Sequence, residues 1–406
     1  MMQYGKASNH EVNNMQHLWT KNFILICLSS LFMFFAFHTL IPTLPFYIIE
    51  NGGGTSSAGL ALAILTIAAI MIRPVTGWAL DNYGRKKIFI AGFFLFLLPT
   101  IVYLWMVPVV MLLFLRFVQG LGWGVCSTAS ATTASDIVPQ KRMGEGMGFF
   151  GLTLTISLAT APAFGLWLIG NYSFQVLFLI SAILCMIAIL IALTIQYPEI
   201  EKKQAKLKFA FVEKAALRPA LVILCITMTY SSVLSFLSLF VIEQGMDSGN
   251  IFAFFIVLAI TSLISRPLSG KMIDTKGSVG YDISVLIGAI ATIVALLFLA
   301  QTTTLFHLVA GGIFYGIGFG FTQPTMLALS INSVSTNKRG GANATYWTAF
   351  DMGVASGSVV WGLVASTFGY SLIFKLSVIP ALAAIAIYFA GKKFYQKAEP
   401  ATSTAG

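Results

Sequence analysis

The chain is short of charge. Only 9% of its 406 residues are Asp, Glu, Lys or Arg, while 57% are hydrophobic. A soluble domain carries about 25% charged residues, so too little polar surface is present here to coat a water-soluble globule. Acidic residues are scarcest, 14 against 24 Lys and Arg, which leaves a net charge of +10. Cysteine is also sparse. Cys27, Cys126, Cys185 and Cys225 all fall within apolar runs without metal-ligand spacing, and they read as small packing residues. The sequence has no nucleotide-binding loop, no metal cluster and no Ser/His/Asp arrangement with supporting spacing, so neither cofactor nor metal is expected and an enzyme is disfavoured. The polar segment 1–20 lacks a cleavable signal pattern, and the first helix is expected to act as its own insertion signal.

Long apolar runs take the place of charge. A membrane-spanning helix needs about 20 mostly apolar residues. Candidate spans lie at 22–49, 57–78, 88–107, 109–134, 144–169 and 174–195, then at 220–242, 251–273, 283–300, 305–328, 342–368 and 372–391. Spanning β-strands would alternate over segments of about ten residues, and these runs do not. The expected fold is an all-α membrane protein of twelve helices.

The basic residues have a pattern. With the N-terminus placed in the cytoplasm, inner loops carry Arg85, Lys86 and Lys87, then Lys141 and Arg142, a cluster over 202–218, Lys271 and Lys276, and Lys338 and Arg339. Outer loops carry no Lys or Arg and hold Glu50, Glu243 and Asp247. This obeys the positive-inside rule and puts both termini in the cytoplasm. The excess charge is thus a topology signal with some attraction to anionic lipid, and nucleic acid is not an expected partner.

The chain also repeats. Arg73-Pro74 leading to Gly77, Asp81 and Gly84 matches Arg266-Pro267 leading to Gly270, Asp274 and Gly277, at an offset of 193 (274 minus 81). Gln119-Gly120-Leu121-Gly122-Trp123-Gly124 is echoed by Tyr315-Gly316-Ile317-Gly318-Phe319-Gly320 at 196, and Lys141-Arg142 by Lys338-Arg339 at 197. The expected organisation is a segment 1–20, a six-helix half 21–196, a basic linker 197–219, a second half 220–391 and a tail 392–406. Parallel repeats of this kind commonly hold a substrate at their interface near the midplane.

The run Gly77-Trp78-Ala79-Leu80-Asp81-Asn82-Tyr83-Gly84-Arg85-Lys86-Lys87 resembles the signature loop of the major facilitator superfamily. The resemblance extends over nearly the whole chain. It implies two pseudo-symmetric six-helix bundles, alternating access, and an inner gate in which Asp81 approaches the positive N-terminus of the eleventh helix. Gly270, Asp274 and Gly277 form the matching turn. Arg116-Phe117-Val118-Gln119-Gly120 resembles the family's fourth-helix motif, which implies a part for Arg116 in proton coupling or anion recognition. A structural hydrogen-bond anchor is the alternative. Gly148, Pro162 and Gly165 resemble its fifth-helix antiporter motif, from which Ser157, Ala161 and Leu166 depart.

Two further residues are candidates for moving a proton. Asp351 is a carboxylate deep within a span, where an ionised side chain is costly unless it is paired or protonated. His38, in the first helix, titrates near neutrality in its unperturbed state. By family position the cavity is lined by helices 1, 4, 7 and 10, which offer Phe37, Gln119, Trp123, Tyr230, Tyr315 and Phe319. An aromatic cavity with few charges suits amphipathic molecules. The resemblance implies a monomeric secondary transporter of the bacterial cytoplasmic membrane. Proton-coupled efflux of drugs or small metabolites leads, with proton symport into the cell, lipid flipping, or a non-transporting receptor or enzyme as alternatives.

Overall fold

The structure is a computed structural model that describes residues 17–53, 55–198, 208–247 and 249–396. Most of the expected N-terminal segment, the centre of the linker and the end of the tail fall outside the described residues. The described chain is helical: α1 (Lys21–Glu50), α2 (Thr55–Tyr83), α3 (Arg85–Val102), α4 (Val109–Ile137), α5 (Met143–Asn171), α6 (Phe174–Thr194) and α7 (Leu217–Glu243). The element Gly249–Ala300 comprises α8 and α9, followed by α10 (Leu305–Asn332) and α11 (Arg339–Phe368). α12 is built of Tyr370–Leu376 and Val378–Gln396 with a turn at Ser377 between them. No strand occurs among the described residues. In hydrocarbon every backbone polar group needs an internal partner, and a helix supplies it within the segment.

Eleven helical segments among the described residues are long and apolar enough to cross a membrane, and one of them, Asn250–Ala300, has 51 residues. At ~1.5 Å per residue it would be about 77 Å long, far beyond a hydrocarbon core of about 30 Å. It makes two crossings, because Gly277 leaves the helical region at φ 54°, ψ −129°. The packing of α10 demonstrates the reversal. Gly312, Gly316 and Gly320 lie against Phe254, Leu258 and Ser265 of α8, so these helices run together. Gly311 lies against Leu299, Gly318 against Thr292, and Thr322 against Gly288, so α9 runs the opposite way. Gly84, at φ 97°, makes the same reversal between α2 and α3. A residue with a Cβ would be strained at either turn. Twelve crossings result among the described residues.

The two halves repeat this packing residue by residue. Gly120 and Gly124 of α4 lie against Leu65 and Ala69 of α2, while Gly122 lies against Phe96 of α3. These three glycines correspond to Gly316, Gly320 and Gly318 at an offset of 196 (316 minus 120). At each, an added Cβ would fall within 3.0 Å of neighbouring backbone or side-chain atoms. Small residues bring helices together in lipid, where hydrophobic driving force between helices is lacking.

Two seams join the bundles, α2 against α11 and α5 against α8. Gly77 meets Gly340 and Ala344 in the first, and Gly270 meets Gly144 and Glu145 in the second. Leu166, the residue that departs most from the small-residue pattern of the fifth helix, is 41% exposed on the outer surface of α5 and does not obstruct packing. The two glycines of that motif do approach a neighbour: Gly148 meets the Arg266 carbonyl and Gly165 the Thr39 carbonyl. Pro162 sits within α5.

Candidate functional site

At the basic end of the molecule the bundles are fastened by two latches. Asp81, at the end of α2, accepts the Gly340 N–H on Oδ1 and the Gly341 N–H on Oδ2, each at 2.8 Å. Asp274, at the end of α8, accepts the Gly144 and Glu145 N–H groups, also at 2.8 Å each. Both carboxylates therefore cap helix N-termini, α11 and α5 respectively. The first N–H groups of a helix lack intrahelical partners and carry its positive dipole end, so a carboxylate is well placed there.

The latches differ in what surrounds them. Beside Asp81, Arg85 donates through Nε to Asp136 Oδ2 at 2.7 Å and through Nη1 to the Leu80 carbonyl at 2.6 Å. Its distance to Asp81 itself is 3.4 Å. Arg339 reaches across from the second bundle to the other oxygen of Asp136 at 3.2 Å and to the Ser135 carbonyl at 2.6 Å. Asp274 has no such buried arginine pair among the described residues, and the nearby Arg142 binds Glu145 at 2.6 Å. The matching Lys-Arg pairs of the sequence thus serve different partners. The latch contacts align at 196 (340 minus 144) rather than 197, which moves Arg142 and Arg339 one residue out of register. Lys86 is exposed beside the latch and makes no part of it.

Above the latches lies a cavity of about 150 Å³, lined from both bundles. Its polar groups are Arg73, Asp351, His38 and Thr66, and its aromatic walls include Phe37, Trp123, Tyr230, Trp347 and Phe350. Arg73 of α2 donates through Nη2 and Nε to Asp351 Oδ2 of α11, at 2.7 and 3.0 Å. Its Nη1 donates to Ser127 and Thr128 of α4 at 2.9 and 3.0 Å. The guanidinium also lies 5.8 Å from the Trp347 ring centroid, near enough for cation–π attraction. Asp351 is thus neither isolated nor held by a hydroxyl. It forms an ion pair that bridges the two bundles, with 16% of its side chain exposed. It lies twelve residues from the start of α11 (351 minus 339), about 18 Å along the axis at ~1.5 Å per residue.

The structure separates the sequence's cavity candidates into two groups. Phe37, Trp123 and Tyr230 line the cavity. Phe37 stacks on Trp123 at 3.6 Å between centroids, and Tyr230 stacks on Phe319 at 5.0 Å. The second stack mirrors the first, since Tyr230 stands 193 residues after Phe37 and Phe319 stands 196 after Trp123. Gln119, Tyr315 and Phe319 are not in the wall. Gln119 turns into the first bundle, donating to Thr100 at 2.9 Å and accepting from Arg116 at 2.8 Å. Tyr315 pairs with Thr229 at 2.9 Å, and Phe319 stands behind Tyr230.

Arg116 has the setting of the hydrogen-bond anchor that was the alternative for it, donating to Gln119. It is 1% exposed, enclosed within one bundle rather than facing the cavity, and no carboxylate lies within ion-pair distance among the described residues. His38 does face the cavity, with Nδ1 2.8 Å from both Ser157 Oγ and the Phe34 carbonyl.

Sequence reasoning missed Arg73, Asp136 and Arg339 as site residues. Arg73 was visible as a repeat marker, and its signal was charge balance: a buried Asp351 calls for a cation in another span.

Two bundles joined at one end by helix-capping carboxylates, around a central cavity crossed by an ion pair, define a membrane carrier. The chain belongs to the Major Facilitator Superfamily, whose family model matches residues 26–281 and 278–405. It is similar to the multi-drug resistance efflux pump PmrA of Streptococcus pneumoniae, at 26% identity over 89% of this chain and 92% of that one. It is also similar to an MFS-type transporter of Methanocaldococcus jannaschii, at 21% identity over 88% of this chain and 95% of that one. Among solved structures, the human organic anion transporter MFSD10 shares the fold with a TM-score of 0.78 at 14% identity, covering 90% of this chain and 98% of that one. The protein is a multi-pass membrane transporter of this family and not an enzyme.

Proposed function

We propose that this transporter exports small amphipathic molecules from the cell in exchange for protons, with the Arg73–Asp351 pair as the coupling element. The observation that carries the reading is that pair: an ion bridge between the bundles, in the cavity wall, with one carboxylate oxygen outside the Arg73 contacts. The described hydrogen bonds and ion pairs between bundles run from this bridge toward the basic end. With the basic end taken as cytoplasmic, this is an outward-open state.

A proton arriving from outside neutralises Asp351 and removes the charge that holds Arg73. The seams at the basic end can then part, and the cavity turns inward. Loss of the proton to the cytoplasm, together with substrate binding, restores the ion pair and returns the loaded cavity outward. Asp81 and Asp274 act as the cytoplasmic gate, Arg85 and Arg339 brace it through Asp136, and Phe37, Trp123 and Tyr230 contact substrate. His38 holds α1 to α5 and presents a polar group to the cavity. Similarity to efflux pumps such as PmrA supports the direction. The first bundle is assigned to 21–196, the linker to 197–219 and the second bundle to 220–391. The protein acts as a monomer in the cytoplasmic membrane with both termini inside.

The test is transport in everted vesicles energised to an acidic interior. Wild type is expected to accumulate fluorescent amphipathic molecules, collapse of the pH gradient to stop it, and Asp351→Asn to abolish the gradient dependence. Accumulation unaffected by Asp351→Asn would remove the pair from coupling. Proton-driven uptake into whole cells, or lipid headgroup movement in proteoliposomes, would replace export with symport or flipping.

A further inference from the structure

The repeat gives each bundle one buried arginine at the same place, but only one of them has a carboxylate. Arg73 and Arg266 are each 1% exposed and stand 193 residues apart. Arg73 has Asp351 at 2.7 Å. Arg266 has no carboxylate within ion-pair distance among the described residues. Its Nη1 donates to Gln323 Oε1, and its Nε has no hydrogen-bond partner among them. Gln323 occupies the place of Ser127 (323 minus 196), which binds Arg73 in the other bundle.

The facing helix explains the difference. In the register set by the latches, Trp347 and Asp351 of α11 correspond to Gly151 and Thr155 of α5 (351 minus 196). Gly151 leaves the space that the Arg266 guanidinium occupies. The Thr155 hydroxyl is turned back on its own helix, toward the Gly151 carbonyl at 3.3 Å. Arg266 is therefore a buried cation at the α5–α8 seam, packed over Phe319 at 5.7 Å from its centroid. Phe319 in turn backs Tyr230, a residue of the cavity wall. Arg116 is also without a carboxylate, but it is enclosed within the first bundle by α3 and α4 and does not stand at a seam.

A cation in this position lacks the counter-charge that makes burial tolerable. We propose that Arg266 receives the anionic group of a substrate, so that the transporter carries aromatic monoanions with one carboxylate or sulfonate. The ring stacks on Tyr230 and the charged group reaches Arg266 as the α5–α8 seam parts. The inference rests on the transport reading above and adds the substrate class. A guanidinium is suited to such oxyanions by its planar set of donors.

The test needs no ion gradient, so it is independent of proton coupling and direction. Full-length protein in neutral-lipid nanodiscs is titrated calorimetrically with 2-naphthoate and with its uncharged isostere 2-naphthamide. Wild type is expected to bind the anion at least tenfold more tightly. Arg266→Gln should erase that preference while leaving naphthamide affinity in place, and Arg266→Lys should retain part of it. Thr155→Asp, which keeps Arg266 but supplies the carboxylate that Asp351 supplies to Arg73, should erase it as well. That variant decides the matter should Arg266→Gln fail to fold. Equal affinity for both probes in wild type, no naphthoate binding at millimolar concentration, or a preference that survives both substitutions would overturn the proposal. Loss of proton-driven export in vesicles, with the anion preference intact, would count against the coupling reading and leave Arg266 in its role.

Discussion

Replacing Asp81 with Asn should open the basic end of the molecule. The carboxylate accepts two backbone N–H groups at 2.8 Å each from the first residues of α11. Hydrogen bonds to a charged group are worth about 1.5–3 kcal/mol each, and the helix-end charge adds about 0.3–1 kcal/mol. An Asn side chain has one carbonyl oxygen and no charge, so it loses one of these bonds and weakens the other. The net loss is roughly 2–4 kcal/mol, a factor of roughly 30 to 700 in the equilibrium between closed and open states. A population at about 99:1 in favour of closure would fall to between about 3:1 and about 1:7. The perturbation should stay local, because Arg85 keeps its 2.7 Å contact with Asp136. The assay is a spin-label distance distribution between Lys87→Cys and Ser335→Cys, two exposed positions on opposite bundles, with the four native cysteines replaced. A second, longer population in Asp81→Asn is the expected result. Asp274→Asn should add its own shift, because the two latches lie in separate seams. A distribution identical to wild type in both variants would refute the latch energetics.

Other perturbations are expected to act through packing and buried charge. Asp351→Asn leaves Arg73 buried without its counter-ion, a loss of about 3–5 kcal/mol. The double variant Arg73→Gln with Asp351→Asn should therefore melt at a higher temperature than Asp351→Asn alone, measured by thermal unfolding in detergent. Gly120→Ala places a Cβ 2.4 Å from the Leu65 carbonyl and should destabilise by about 1–3 kcal/mol. In the same assay Gly170→Ala, where the Cβ would meet nothing within 4 Å, should be close to neutral.

Sequence alone determined the fold class and the repeat, because both are written in local chemistry. Apolar runs of spanning length require lipid and helices, basic loops on one side set an orientation, and Arg-Pro, Gly, Asp and Gly recur at near-constant spacing. The Gly77–Gly84 loop that carries Asp81 was legible for the same reason, while its approach to α11 followed only from the family resemblance, since Gly340 and Gly341 lie 259 and 260 residues away. Composition and spacing did not reveal which polar side chains meet across the interface. That depends on how two helices distant in sequence are rotated. Arg73 and Asp351 are 278 residues apart and yet hydrogen-bonded. Gln119 sits one turn from Trp123 but turns into its own bundle, a distinction that helical periodicity on a fully buried stretch does not carry. The tertiary structure also decided the charge balance of the repeat. It gave Arg73 a carboxylate and left Arg266 facing a glycine and a threonine, because pseudo-symmetry fixes positions in space while the residues at those positions have diverged.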